Sequence, residues 1–266
     1  MEEGFYGIAG IFLRPGSFPG RFFEVSVMKD FILELRENTK FVAVCVAIIA
    51  GLFLLAKILE WVLPRVRKIS ATRKLCIISI CSAIAAVLHM LDFPLPFLAP
   101  DFYKLDLSEL PVMLCGMYLG PAAAVICEAL KILLKLLLNG TSTAFVGDFA
   151  NFFVGCALVL PATAIYHIKH TRASAIWGLV AGTFALTVFG SAFNAIYLLP
   201  KFSQLYGIPL ESIIGMGNSI NGNINSVSTF VLFAVAPLNL IKGVGISILT
   251  ILLYKKVARP LFGIRA

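Results

Sequence analysis

Eight polar side chains stand inside otherwise apolar stretches of this chain: Glu128, Lys131 and Lys135, then Asp148 and Asn151, then Asn194, then Asn239 and Lys242. A charge at the centre of a membrane helix costs roughly 2.5–3.5 kcal/mol on insertion scales, so such groups usually face a cavity and act there. Glu128 and Lys131 are three residues apart and share a helix face. They are either a structural ion pair between helices or the acid–base pair of a membrane enzyme. Lys135 is expected to snorkel to the interface. Asp148 is placed to cap its helix. Asn151 and Asn194 suit interhelical hydrogen bonds or contacts to a ligand. Lys242 has no acid in its own stretch and only Asn239 as a close polar neighbour, which reads as an ammonium kept for a ligand.

These groups must be positioned by helices long enough to cross a bilayer, about 20 residues each. The apolar runs predict spans over Phe41–Leu63, Leu75–Leu91, a short Leu107–Leu119, Ala122–Leu138, Val146–Ile168 and Ala175–Leu199. Pro200–Ser226 reads as a polar loop. Pro237 suits the first turn of a final span, Pro237–Tyr254, which makes Val227–Ala236 an apolar, re-entrant extension of that loop. On these bounds Lys242 lies five residues past Pro237, about 7–8 Å along the helix. Asn194 lies six residues before Pro200, and Asp148 and Asn151 open their span. Polar groups from four helices therefore gather near one end of the bundle.

Above them runs DFPLPFLAPDFYKLDLSELP, from Asp92 to Pro111. Pro94, Pro96, Pro100 and Pro111 exclude a helix interior there. Phe93, Phe97, Phe102 and Tyr103 alternate with Asp101, Lys104, Asp106 and Glu109. A stiff aromatic loop over a polar cluster suits a flat, partly polar ligand.

Composition agrees with a membrane domain. Of 266 residues, 59% are hydrophobic and 14% charged, against roughly 25% charged in soluble domains. The net charge of +8 follows the positive-inside pattern and not a nucleic-acid surface. Arg65, Arg67, Lys68, Arg73, Lys74, Lys169, Arg172, Lys255, Lys256, Arg259 and Arg265 fall on one side, with only Lys104 and Lys201 in the opposite loops. This predicts a multi-pass protein of the cell membrane with a cytoplasmic C-terminus. Trp61 and Trp177 lie near the cytoplasmic boundary as belt residues. If Phe41–Leu63 spans, residues 1–40 lie outside; the alternative is a segment that only partly inserts. The start, with Glu2, Glu3, Pro15 and Pro19, is not a typical signal peptide.

The six cysteines fall in apolar spans without a CxxC pair, as buried thiols would. No GxxxxGK[ST], HExxH or GxSxG motif occurs, and no internal repeat is evident. A binding unit that takes its energy from elsewhere fits better than a complete pump. Ser79 with Ala83, and Ser82 with Ala86, are small residues four apart that let another helix approach, either inside the bundle or on a partner membrane protein.

Six segments occur in order: the loop from Phe93 to Pro111, LGP at Leu119–Pro121, ALKILLKLL from Ala129, FANF at Phe149–Phe152, FNAIYLLP at Phe193–Pro200 and APLNLIKG at Ala236–Gly243. Together they resemble the riboflavin-specific S components of energy-coupling factor (ECF) transporters. The resemblance implies an all-α, six-helix membrane bundle over residues 74–266 that binds riboflavin as transported ligand, with no cofactor and no catalysis. Residues 1–73 would then be an N-terminal extension with one additional span and a basic cytoplasmic linker. The resemblance also implies docking on a transmembrane coupling subunit carrying two ATPase subunits, at a face around Ser79, Ser82, Ala83 and Ala86. Asn194 and Lys242 would hydrogen-bond the polar edge of the isoalloxazine ring. Backbone from Tyr103 through Lys104 to Leu105 would close over it, with Phe97, Asn151 and Asn239 as further contacts. The alternatives are an S component for another vitamin, or a membrane enzyme using Glu128 and Lys131.

Overall fold

The computed structural model describes residues 39–63, 69–141 and 143–262. The expectations for residues 1–38, for Arg65, Arg67 and Lys68, and for Arg265 lie outside these. The described chain is helical: α1 (Thr39–Val62), α2 (Ala71–Met90), α3 (Glu109–Leu119), α4 (Pro121–Asn139), α5 (Val146–Lys169), α6 (Arg172–Phe193), α7 (Leu199–Tyr206), α8 (Leu210–Ile220), α9 (Val227–Phe230) and α10 (Ala236–Phe262). A two-residue hairpin, β1 (Phe93–Pro94) with β2 (Lys104–Leu105), closes the proline-rich loop, pairing Phe93 with Leu105. Among the described residues, five helical runs are long and apolar enough to cross a membrane: Thr39–Val62, Ala71–Met90, Val146–Lys169, Arg172–Tyr206 and Val227–Tyr254.

The short helix α3 is the axis of the bundle. All of its residues from Glu109 to Leu119 are buried, as expected of a helix apolar on every side. Gly120, at φ 113°, turns the chain directly into Pro121 at the start of α4. The α5–α6 pair is drawn close by Gly178 and Gly182: a Cβ at Gly178 would lie 2.5 Å from the Ala162 carbonyl oxygen, and one at Gly182 would collide with that of Leu158. This is a small-xxx-small contact. Gly182→Val is expected to cost at least about 1–3 kcal/mol by overpacking, read as a lower melting temperature in detergent. Gly215→Ala, where nothing lies within 4 Å, should leave the melt unchanged.

Two expectations are corrected. Pro200–Ser226 is not a loop throughout, since α6 runs on through Pro200 to Tyr206 and α8 lies beyond it. Val227–Ala236 is not a re-entrant extension but the first part of the last membrane run, Val227–Tyr254. The physical reason is the same in both places. A proline inside a helix removes an N–H and crowds the carbonyl four residues back. Just before each proline the helix widens into a π-turn, Asn194–Leu198 before Pro200 and Val231–Val235 before Pro237. Leu199 N–H donates to the Asn194 carbonyl, and Ala236 N–H to that of Val231, five residues back instead of four. The widened turn passes the proline without ending the helix.

α1 runs antiparallel to α4, its C-terminal Glu60 lying against Ala122. Tyr166 near the end of α5 and Tyr254 of α10 meet through their hydroxyls at 2.8 Å. The ends of α1, α5 and α10 and the starts of α4 and α6 thus share one end of the bundle. The proline-rich loop lies at the other, against Asn194 and Phe230.

Candidate functional site

The loop between α2 and α3 delivers acids to the bundle interior. Asp106 Oδ1 accepts the Ser108 N–H at 2.8 Å, a turn in which an Asp side chain bonds backbone two residues on. Ser108 Oγ also bonds Asp106 Oδ1. That turn aims Asp106 Oδ2 at Lys242 Nζ on α10, 3.0 Å away. Glu109, in the first turn of α3, places Oε1 3.1 Å from the same ammonium and 3.4 Å from Lys131 Nζ on α4. Lys131 also bonds Glu128 and donates to Ser108 Oγ at 3.1 Å. His89, in the last turn of α2, brings Nδ1 to 3.5 Å from Asp106 Oδ2. That is an ion-pair distance without hydrogen-bond geometry, so His89 Nδ1 has no hydrogen-bond partner among the described residues.

Asp106, Ser108, Glu109, Glu128, Lys131, His89 and Lys242 are all buried. The group holds one more carboxylate than ammonium. An odd charge in such surroundings is costly. Two buried side-chain atoms of the group, His89 Nδ1 and Glu128 Oε2, have no hydrogen-bond partner among the described residues. At Asp106 burial opposes ionisation; the Lys242 ammonium, the His89 ring and Lys131 outweigh it and hold the carboxyl well below the usual range.

The reading of Lys242 as an ammonium without an acid is therefore corrected. Its acids arrive from the loop, 136 residues away for Asp106, which inspection of its own span does not reveal. Lys135 does not merely snorkel, nor does Asp148 merely cap. They pair at 2.6 Å, and Lys135 also donates to the Gly140 carbonyl at 3.0 Å. Glu128 and Lys131 are both buried and tied into one ion-pair network with Glu109.

Beside the charges stands a layer of amides. Tyr103 donates its hydroxyl to Asn194 Oδ1 at 2.7 Å, and Asn194 Nδ2 donates to the Gly190 carbonyl at 2.8 Å. Asn194 opens the first π-turn, a local geometry frequent at functional sites. Asn239 lies flat against Gly190, where a Cβ would sit 2.7 Å from its Nδ2. That buried Nδ2 has no hydrogen-bond partner among the described residues. The Tyr103 ring packs on Phe102, 4.8 Å between centroids, and on Phe230 of α9 at 6.0 Å. The loop is thus pinned at two points, by Tyr103 on α6 and by Asp106 on α10.

Of the site residues expected from sequence, Tyr103, Asn194, Asn239 and Lys242 converge at this junction, and Leu105 is buried beside it. Asn151 is half-buried and turned to the Gly147 carbonyl at 3.3 Å. Lys104 turns outward to Asp92 at 3.1 Å. Phe97 is 74% exposed. The small-residue face also splits. Ser82 and Ala86 are buried, and Ser82 Oγ reaches the Ile78 carbonyl at 2.7 Å and that of Cys127 on α4 at 3.3 Å. This corrects their assignment to an outer docking face; adjacent stripes of one helix look inward and outward. Ser79 and Ala83 remain exposed, flanked by Ile80 and Ile84. Sequence reasoning missed His89 and the pairing roles of Asp106, Ser108 and Glu109. The available signal was DLSEL, a Ser followed by an acid before an apolar run, which marks a helix start.

Comparison with known proteins adds the following. The family model described as ECF transporter, substrate-specific component, matches residues 73–254. A protein of Staphylococcus aureus (strain TCH60) named riboflavin transporter RibU is 36% identical over 186 residues, 70% of this chain and 90% of its own length. Riboflavin transporter FmnP of Bacillus subtilis (strain 168) is 30% identical over 185 residues, 69% of this chain and 91% of its own. A solved structure of the S component of a bacterial ECF transporter superposes with a TM-score of 0.57 at 36% identity; 74% of this chain covers the whole of it.

Proposed function

This chain belongs to the substrate-specific components of ECF transporters, and from that premise we propose that it captures riboflavin at the junction of Tyr103, Asn194, Asn239 and Lys242. It is a multi-pass membrane transport component and not an enzyme. The observation that carries the riboflavin reading is the chemistry under Tyr103. The isoalloxazine ring is flat and uncharged at neutral pH, with carbonyls that accept and an imide N–H that donates. Lys242 Nζ and Asn239 Nδ2, which has no hydrogen-bond partner among the described residues, supply donors, and Asn194 Oδ1 and Asp106 supply acceptors. A buried donor without a partner is costly, and a flavin carbonyl would satisfy it. Backbone at Tyr103–Leu105 closes over the ring, and Asn151 serves the polyol side.

Arg73, Lys74, Lys169, Arg172 and Lys256 share the end of the bundle opposite Lys104 and Lys201. By the positive-inside rule that end and the C-terminus are cytoplasmic, and the site opens outward. The exposed stripe of Ser79 and Ala83 is the docking face for a transmembrane coupling subunit, which works with two ATPase subunits. Residues 1–73 form an extension ahead of the binding domain.

A flavin titration of the purified protein, followed by absorbance and by quenching of flavin fluorescence, tests this. Binding is expected, and Asn194→Ala is expected to weaken it about tenfold, the loss of one to two hydrogen bonds. Unchanged affinity in both Asn194→Ala and Asn239→Ala removes the site. A protein that stays colourless and binds a different vitamin replaces the ligand and keeps the family.

A further inference from the structure

The family match begins at residue 73, and the matched S component is covered whole by 74% of this chain. The helix α1 therefore lies outside everything the family needs to build its bundle. It is nevertheless held to that bundle along its length. Phe41, Cys45, Ile49, Leu52, Phe53 and Ala56 pack, in one cluster, on Ala122, Val125, Ala129, Ile132 and Leu136 of α4 and on aromatic residues of α5. Both stripes repeat at three- and four-residue steps, the spacing of a coiled-coil seam.

The two ends of α1 carry specific contacts. At one end Glu60 Oε1 accepts the Ala122 N–H at 3.0 Å. The first N–H groups of a helix need acceptors, and α4 begins after Gly120, which has no side chain to supply one. The carboxylate also suits the positive end of the helix. At the other end Phe41 meets Phe149 of α5 edge-on, 5.8 Å between centroids. Phe149 stacks on Phe153 at 6.5 Å, and Phe153 meets Phe193 edge-on at 6.0 Å. Phe193 directly precedes Asn194, the residue that takes the Tyr103 hydroxyl.

We propose that α1 is a built-in brace of the ligand site, with Phe41 and Glu60 as positioning residues that slow the escape of bound riboflavin. The proposal rests on the riboflavin reading above. Lys131 of α4 and Asp148 of α5 are buried inside the bundle, and α1 packs on the neighbouring face of these two helices. A ligand beneath Tyr103 leaves when the loop lifts and α5 yields against α6. α1 resists that yielding from outside, at the ring relay and at the α4 terminus, without touching the ligand.

The test is the dissociation rate of riboflavin from the full-length protein in detergent, read by recovery of flavin fluorescence after dilution. Phe41→Ala is expected to release flavin about five- to tenfold faster, the scale of one aromatic contact. Phe41→Tyr restores the wild-type rate by keeping the ring. Leu54→Ala, on the exposed side of α1, leaves the rate unchanged. Release from Phe41→Ala within twofold of wild type overturns the brace, as does equal acceleration by Leu54→Ala, which marks general loosening. If Phe41→Ala does not fold, Glu60→Ala against Glu60→Gln decides. Fast release from the first and near-normal release from the second, whose amide oxygen still accepts, supports the brace; wild-type rates in both overturn it. A wild-type protein that binds no riboflavin overturns the ligand reading and the brace with it. Binding with unchanged release in the variants overturns the brace alone.

Discussion

Lys242→Ala is expected to lower flavin affinity at least about 100-fold and to destabilise the protein by roughly 3–5 kcal/mol, because breaking a buried ion pair leaves its partners uncompensated. Asp106 Oδ2 and Glu109 Oε1, at 3.0 and 3.1 Å, would face each other without their common cation. The two losses have different origins, and a second variant separates them. Lys242→Met with Asp106→Asn removes both members of one pair, so much of the stability should return. Flavin binding should not return, since the ammonium donor is gone. Thermal melts and flavin titrations of the two variants check this. Full affinity in the double variant would move the ligand away from Lys242.

Lys131→Met is expected to be the most destabilising single change at the cluster, with little folded protein recovered. Its ammonium is fully buried and serves Glu109, Glu128 and Ser108 together. Two carboxylates left near each other in an apolar bundle cost several kcal/mol, offset only where one of them takes a proton. Adding Glu128→Gln supplies that neutrality covalently and should recover folded protein, measured as the monodisperse fraction on size exclusion. Unlike the Lys242 pair, this double variant should bind flavin, because Lys131 serves the framework and not the ligand. A Lys131→Met protein with a wild-type melt would show that the network is not structural.

Much of this architecture was legible in the chain. The long apolar runs at Phe41–Leu63 and Val146–Ile168 gave helices at nearly those bounds, because helix length in a bilayer is fixed by its thickness. The four prolines after Asp92 mark the loop, with Tyr103 among its aromatics, and Asn194, Asn239 and Lys242 stand out as rare polar groups in apolar surroundings. What failed was long-range or geometric. Pro200 and Pro237 are local stop signals, and the π-turns that let helices pass them cannot be read from one residue. The acids facing Lys242 sit in a different segment, so spacing within a span could not find them. Ser82 and Ala86 share the pattern of Ser79 and Ala83, and composition does not say which stripe faces α4. Gly178 and Gly182 are four apart in the chain, but nothing local in the sequence names α5 as their neighbour.

The two widened turns have a consequence for comparing relatives. Each spends one extra residue on a turn, so the helix on its far side is rotated by about 100° relative to an unbroken α-helix. Removing a single residue from Asn194–Leu198 or Val231–Val235 would therefore swing the whole outer segment out of phase, carrying Phe230 or Leu199 from the interior to lipid. A relative that keeps these widened turns should align with this chain here without a gap, and one whose helix runs unbroken should be one residue shorter at that place.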